Sequence, residues 1–329
     1  MEFRGVGVVG VVGVGLAYGE GMLIGSVDVA WLETGLVLAA MAGLVVLVVL
    51  AWRGGWWRAG YLGGGPRRPV GLGGLDLLVG LGVLLLGQVV LGVVLAASGA
   101  LQTGAEGEAG WRALGDGVLV EQGLILMVGQ VLTFGVVAGY AVWRVGVRRA
   151  GWGRWGLWRG AVSGLGLGLA GVVVVLPIGW LAGVVYWVLA GEEPPAVAHP
   201  MLEMMRAASA WWALLPFVVS AVVLAPLFEE LVFRGFLQTV LVKRLGWRSA
   251  IFGKLGRGRW VGVWLTGVLF GLIHAGGVDP IALPGLVVLG LVLGAYYERT
   301  GSLLGCVVGH MVFNAVNVVL ALYVVGVVG

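Results

Sequence analysis

The sequence contains few charged residues. Asp, Glu, Lys and Arg make up only 11% of its 329 residues, whereas apolar residues make up 60%, and the mean hydropathy is +1.04. In an ordinary soluble domain about a quarter of the residues are charged. The composition therefore excludes such a domain, and its repeated apolar runs, each about 20 residues long, indicate transmembrane helices.

Cysteine and histidine are also scarce. The single cysteine, Cys306, excludes an intrachain disulfide and a four-cysteine metal site. It lies in an apolar run, where we expect it to pack as a small apolar side chain. The three histidines are His199, in a loop, and His274 and His310, both within apolar runs. Any histidine chemistry inside the membrane is therefore restricted to the last two.

The apolar runs predict an all-α, polytopic transmembrane bundle of about eight or nine spans. The alternating ten-residue pattern of a transmembrane β-barrel is absent. The first run is the weakest because it contains Glu20, and whether it crosses the membrane is left open. The expected spans are residues 5–26, 35–52, 70–97, 118–143, 160–190, 208–242, 260–276, 281–297 and 302–326.

The charged loops predict the orientation of the chain. Loops 53–69, 144–159 and 243–259 hold four, five and six basic residues and no acidic ones, while the intervening loops are net acidic. Basic loops face the cytoplasm, so we expect a multi-pass protein of the cell (inner) membrane with these loops inside. The net charge of +4 then reflects orientation in the lipid bilayer, and no nucleic-acid partner is expected.

Two acids and one base lie together inside an apolar run. Glu229, Glu230 and Arg234 are flanked by nearly uncharged sequence over residues 211–242. Ionisable groups at membrane depth are costly, which indicates a functional site. Glu230 and Arg234 are four residues apart and can pair on one helix face. Glu229 points about 100° away and is left for a partner from another helix.

Polar side chains on two later helices reach a similar depth. With a rise of about 1.5 Å per residue, four side chains lie roughly 12–21 Å from one end of their helices, counted from Lys243, Trp260 and Ser302. They are Glu230, His274, His310 and Asn314. We therefore expect the three helices to bring glutamate, histidine and asparagine side chains together within the membrane.

These residues leave two chemistries open. A carboxylate and a histidine can deprotonate a water as a general base. Alternatively, Glu229, His274 and His310 are candidate ligands of a Zn²⁺ ion whose bound water is the nucleophile. In either case, His310 and Asn314 could donate hydrogen bonds to a developing oxyanion. A purely structural polar network is the third interpretation.

Three motifs resemble those of one family. They are Glu229-Glu230-x-x-x-Arg234, Phe270-x-x-x-His274 and His310-x-x-x-Asn314. In this order on apolar helices they resemble the CAAX-protease and bacteriocin-processing (CPBP) intramembrane proteases, the Rce1-like group. The resemblance spans about residues 165–325 and is strongest after residue 220. We therefore expect an Rce1-like domain at residues 160–329 and an N-terminal accessory transmembrane region at residues 1–159.

The resemblance implies an endopeptidase that hydrolyses peptide bonds of a peptide or protein substrate, which the family name suggests is lipidated. It implies that Glu229 is the general base, assisted by His274, and that His310 and Asn314 stabilise the oxyanion. Glu230, Arg234 and Phe270 would support the site. The family is often called a metalloprotease family, which leaves the need for Zn²⁺ open.

Two functions other than catalysis are alternatives. Some members of this family act as immunity proteins or scaffolds, so a non-catalytic membrane scaffold or bacteriocin-immunity-type protein of the same fold is the main alternative. A small-solute transporter is a weaker one. It would show repeats with broken helices in both halves, and the first half holds no copy of the Glu-Glu motif.

Glycine is abundant, with 63 residues, and much of it lies within the spans. Small residues four positions apart allow transmembrane helices to approach closely. This spacing occurs in the last three spans and predicts a tight C-terminal bundle. The glycines concerned are Gly267, Gly271, Gly290, Gly294, Gly301, Gly305 and Gly309.

Overall fold

The structure is a computed structural model that describes residues 29–53, 72–97, 107–145, 156–191, 200–248, 257–275 and 277–324. Within these ranges the chain is helical and contains no strand. The helices are α1 (Val29–Arg53), α2 (Gly74–Ala97), α3 (Gly107–Val145), α4 (Gly156–Ala190), α5 (Pro200–Ala207), α6 (Trp211–Val219), α7 (Ala225–Glu230), α8 (Thr239–Arg248), α9 (Arg257–Leu272), α10 (Leu283–Thr300) and α11 (Leu303–Val324). Two π-helical segments, Ser220–Leu224 and Leu231–Gln238, and a 3₁₀ turn, Pro280–Ala282, complete the order.

The predicted all-α polytopic bundle is confirmed. Among the described residues, six helices are long and apolar enough to cross a membrane, and two shorter apolar helices lie at Leu38–Val49 and Arg259–Leu272. Each corresponds to one of the predicted spans. The predicted first span, residues 5–26, lies outside the described residues.

The span that carries the Glu-Glu motif is one continuous helical rod, which we call the motif helix, residues 211–248. It consists of α6, the first π segment, α7, the second π segment and α8. Hydropathy predicts such a span but cannot predict its π segments, in which backbone hydrogen bonds join residues five apart and which are frequent at functional sites. Here they flank α7, the segment that ends with Glu229 and Glu230.

Pro226 leaves one backbone carbonyl of the first π segment without a helical partner. The backbone N–H of Ala225 bonds to the carbonyl of Ser220, five residues back. In the same register the next donor would be residue 226, but proline has no N–H. The carbonyl of Ala221 is thereby left for a partner from another helix, and Asn314 on α11 supplies it, with its Nδ2 2.8 Å away.

Glycines allow the helices around the site to pack closely, as predicted. A Cβ atom on Gly290 of α10 would lie only 2.9 Å from the Cα of Gly267 on α9. On α4, a Cβ atom on Gly168 would lie 2.5 Å from the carbonyl oxygen of Gly309 on α11. Gly301 has a different role, because it ends α10 in the left-handed conformation with φ of +67°. That conformation favours glycine.

The N-terminal helices pack directly on the motif helix. The carboxylate of Asp76, at the start of α2, accepts hydrogen bonds from Tyr140 Oη (2.8 Å) and Arg144 Nε (2.6 Å) at the end of α3. At the same end of the bundle, Lys243 Nζ of α8 donates to the carbonyl of Leu72 (3.1 Å). One helix end bordering each of the three basic loops therefore lies at this end of the bundle. The domain boundary near residue 159 stays a prediction.

Candidate active site

The buried ion pair expected from the motif spacing is present. Glu230 Oε2 lies 3.1 Å from Arg234 Nε, and both side chains are 0% exposed. Arg234 also donates from Nη2 to the carbonyl of Gly290 (3.2 Å), and its Cζ lies 4.8 Å above the ring of Phe270. A guanidinium buried in apolar surroundings needs partners of this kind, because an unpaired buried charge is strongly destabilising.

His310 of α11 connects the two glutamates. Its Nδ1 lies 2.9 Å from Glu230 Oε1, and its Nε2 lies 3.9 Å from Glu229 Oε2. A carboxylate only accepts hydrogen bonds, so Nδ1 carries the proton in the neutral imidazole and Nε2 has the lone pair. Glu230 therefore orients His310 so that its Nε2 faces Glu229.

His274 faces the other carboxylate oxygen of Glu229. The sequence predicts His274 inside a span, but α9 ends at Leu272 and His274 lies in the turn that follows. Its Nδ1 is 2.7 Å from the carbonyl of Phe270, which again assigns the proton to Nδ1. Its Nε2 faces Glu229 Oε1 at 3.8 Å. The side chains of His274 and Glu229 are 23% and 18% exposed, so this side of the site is open.

Phe270 contacts most of the polar residues of the site. It is completely buried, and its ring centroid lies 5.1 Å from that of His274 and 5.6 Å from that of His310. It also packs edge-on against Phe233 at 5.1 Å. One ring on α9 thus restrains both imidazoles and covers the Arg234 guanidinium. Its supporting role in function stays a prediction.

Asn314 lies one turn beyond His310 on α11, but its amide is directed at the motif helix. Nδ2 donates to the carbonyl of Ala221 at 2.8 Å. The structure thus brings Glu229, Glu230, His274 and His310 together and gives Asn314 a contact with the backbone of the first π segment. Its oxyanion role stays a prediction, and it would use the second N–H of the amide.

Two polar residues near the site were missed by the sequence reasoning. Gln238 and Glu298 are 0% and 1% exposed, and Gln238 Nε2 donates to Glu298 Oε1 at 2.9 Å. Gln238 lies four residues after Arg234, a spacing that could have identified it. Glu298 directly follows the predicted end of its span at residue 297, so hydropathy placed it in a loop.

The described side chains do not form a set of metal ligands. One glutamate and two histidines match the donor types of some catalytic zinc sites. However, no group of three or more His, Cys, Asp or Glu side chains within the described ranges is arranged to hold a metal ion. The two Nε2 atoms flank different oxygens of Glu229. We therefore derive no reaction step through a metal.

Comparison with known proteins agrees with the motifs. Residues 210–316 match the family model described as Type II CAAX prenyl endopeptidase Rce1-like. No curated protein and no solved structure matches the chain significantly. The matched residues include all three motifs and run from the start of the motif helix into α11. Over residues 210–316, about a third of the chain, the sequence is therefore similar to the Rce1-like family.

Proposed function

We propose that this protein is an intramembrane endopeptidase in which Glu229 activates a water molecule. The observation that carries this proposal is the position of the Glu229 carboxylate between the Nε2 atoms of His274 and His310, at 3.8 and 3.9 Å. Both distances exceed that of a direct hydrogen bond and allow one water to bridge the groups. Glu229 Oε2 is also buried and accepts no hydrogen bond from any described residue.

The hydrolysis follows from these groups. Glu229 takes a proton from the water. The water oxygen attacks the carbonyl carbon of the scissile peptide bond and forms a C–O bond and a tetrahedral oxyanion. The C–N bond then breaks, and the proton passes from Glu229 to the leaving nitrogen. His274, held by the Phe270 carbonyl, offers its Nε2 lone pair to the second proton of the water. Glu229 is therefore the general base of the reaction, and His274 assists it.

The oxyanion needs hydrogen-bond donors on the opposite side. Asn314 has one N–H left after its bond to Ala221. His310 can donate from Nε2 when its ring carries a second proton. We assign oxyanion stabilisation to these two residues, as the sequence suggested.

The substrate is a peptide or protein, and the family description suggests a prenylated C-terminal peptide. Direct base catalysis is favoured over a zinc-bound water because the described residues offer no metal-binding group. The non-catalytic scaffold or immunity protein is not favoured, because no observation in the structure supports it over a protease.

The proposal is tested by cleavage of a fluorescence-quenched farnesylated peptide ending in a Cys-aliphatic-aliphatic-X sequence. The assay uses the purified protein in liposomes, with the unprenylated peptide in parallel. We expect Glu229→Gln and His274→Ala each to lower kcat/KM by roughly 10²–10⁴-fold. Glu121→Gln is the matched control, because Glu121 is an exposed glutamate on α3. If the folded Glu229→Gln variant cleaves as fast as the wild type, the catalytic assignment is wrong.

A further inference from the structure

We propose that Gln238 and Glu298 position the catalytic groups by locking the rotation of the motif helix against α10. This inference rests on the proposed function and extends it to residues that do not touch the reacting atoms. Neither residue belongs to the three motifs. Both are buried, although each carries a polar group that would otherwise be hydrated.

The contacts form a ladder between the two helices. Arg234 donates to the carbonyl of Gly290 (3.2 Å), and Gln238, one turn later, donates to the carbonyl of Gly294 (2.8 Å). The same Nε2 of Gln238 also donates to Glu298 Oε1 at 2.9 Å. The three acceptors follow one another every four residues on α10, so they lie on one face of that helix.

Two glycines on α10 make room for the groups around these contacts. A Cβ atom on Gly294 would lie 2.9 Å from Gln238 Oε1, and one on Gly290 would lie 3.1 Å from the Cβ of Phe270. The missing side chain at Gly294 gives the Gln238 amide room against α10, and the missing side chain at Gly290 lets α9 pack beside it. The ladder therefore depends on one register and one rotation of the two helices.

The second π segment makes this lock necessary. Arg234 and Gln238 both lie within it, and a π turn leaves some carbonyls without their usual helical partner. Thr239 compensates for one of them, since its hydroxyl donates to the carbonyl of Arg234 at 2.9 Å. The Gln238 contacts then hold the segment at the rotation that directs Arg234 to Glu230.

The ladder reaches the catalytic groups through a short chain of contacts. Arg234 pairs with Glu230 Oε2 at 3.1 Å, and Glu230 Oε1 accepts from His310 Nδ1 at 2.9 Å. His310 then presents Nε2 to Glu229. Rotation of the second π segment would therefore change the hydrogen bond that selects the tautomer of His310.

The test combines kinetics with histidine NMR. Gln238→Leu keeps the volume and removes the donors. Using the farnesylated peptide above, we expect kcat to fall at least about tenfold with little change in KM, because the substrate contacts remain. Tyr296→Phe is the matched control, since it removes a hydrogen bond of α10 to Ser163 on α4 and none to the motif helix.

The NMR measurement is independent of activity. With only three histidines in the chain, ¹⁵N-histidine labelling resolves the His310 ring, assigned with His199→Gln and His274→Gln. At fixed pH we expect the Nδ1-protonated tautomer of His310 in the wild type and in Tyr296→Phe, and a mixture of tautomers in Gln238→Leu. An unchanged His310 spectrum in folded Gln238→Leu overturns the positioning role. An inactive wild type with the expected spectra instead overturns only the proposed function.

A charge-swapped pair keeps the test decisive if Gln238→Leu does not fold. In Gln238→Glu two carboxylates face each other. We expect the activity to be lost and the His310 ring to become a mixture of tautomers. Gln238→Glu with Glu298→Gln restores a donor and an acceptor between the two side chains, although not the bond to the Gly294 carbonyl, so it should recover part of both. If the double variant is no better than Gln238→Glu, the contact between the two side chains does not position the site.

Discussion

Glu230 Oε1 accepts a hydrogen bond from His310 Nδ1 at 2.9 Å, although the two residues are 80 positions apart in the chain. This contact joins the first motif to the third and determines which nitrogen of His310 faces Glu229. A buried carboxylate that orients a histidine is a common device in hydrolases, where it holds one tautomer and stabilises the protonated ring.

Loss of the orienting carboxylate is therefore expected to impair catalysis. Glu230→Gln should lower kcat by about 10²–10⁴-fold, because an amide can bind His310 in the wrong tautomer. The measurement is peptide cleavage at saturating substrate. The double variant Glu230→Gln with Arg234→Met is the control for stability. It keeps the amide at position 230 but leaves no unpaired buried guanidinium. An active double variant would contradict this role of Glu230.

Breaking the buried ion pair should destabilise the protein. Arg234→Met leaves the Glu230 carboxylate without its guanidinium partner, at an expected cost of about 3–5 kcal/mol. The free energy of unfolding can be measured by denaturation with SDS in mixed micelles. In the double variant with Glu230→Gln most of this loss should be recovered, because no uncompensated charge remains. Equal destabilisation of the single and double variants would show that packing of Arg234 dominates.

Two glycines on α4 should respond differently to alanine. A Cβ atom on Gly168 would meet Gly309 and Val312, whereas one on Gly166 meets nothing within 4 Å. Gly168→Ala is expected to cost about 1–3 kcal/mol through overpacking. Gly166→Ala should be neutral or stabilising by up to about 1 kcal/mol, the difference in helix propensity. Similar unfolding free energies for the two variants would argue against the close packing of α4 on α11.

Metal content separates the two water-activation chemistries. We expect purified protein to contain far less than one zinc ion per chain and to retain its peptidase activity in 1,10-phenanthroline. The measurements are elemental analysis and cleavage after chelation. Stoichiometric zinc, with activity lost on chelation and restored by Zn²⁺, would replace direct base catalysis by a metal-bound water held by Glu229, His274 and His310.

The orientation inferred from the basic loops can be tested with introduced cysteines. Cys306 is buried and can be replaced by alanine. Trp158 and Leu189, at opposite ends of α4, are 79% and 81% exposed. In right-side-out vesicles we expect a membrane-impermeant maleimide to label Leu189→Cys at once and Trp158→Cys only after permeabilisation. The reverse result would place the basic loops outside.

The local parts of the site were predictable from the sequence. The pairing of Glu230 with Arg234 follows from helical spacing, which survives even though Arg234 lies in a π segment. The common depth of the glutamates and histidines follows from counting residues along apolar helices, because a membrane restricts those helices to near-parallel packing. Close helix packing was predictable from glycines four residues apart.

Other features depend on atoms that only the folded chain brings together. Asn314 binds Ala221 because Pro226 leaves that carbonyl without a backbone donor in the π register, and hydropathy contains no signal for that register. The sequence places Glu298 at the edge of a loop, whereas in the structure it is buried and accepts a hydrogen bond from Gln238 of the motif helix.

The sequence by itself determined that this chain is a helical membrane protein and which residues carry its three motifs. Periodicity and apolar length act locally, so they are visible in one dimension. Only the tertiary structure decided that His310 binds Glu230 through Nδ1 and faces Glu229 with Nε2. That choice depends on the rotation of α11 against the motif helix, which is set by glycine packing and buried hydrogen bonds between residues distant in the chain.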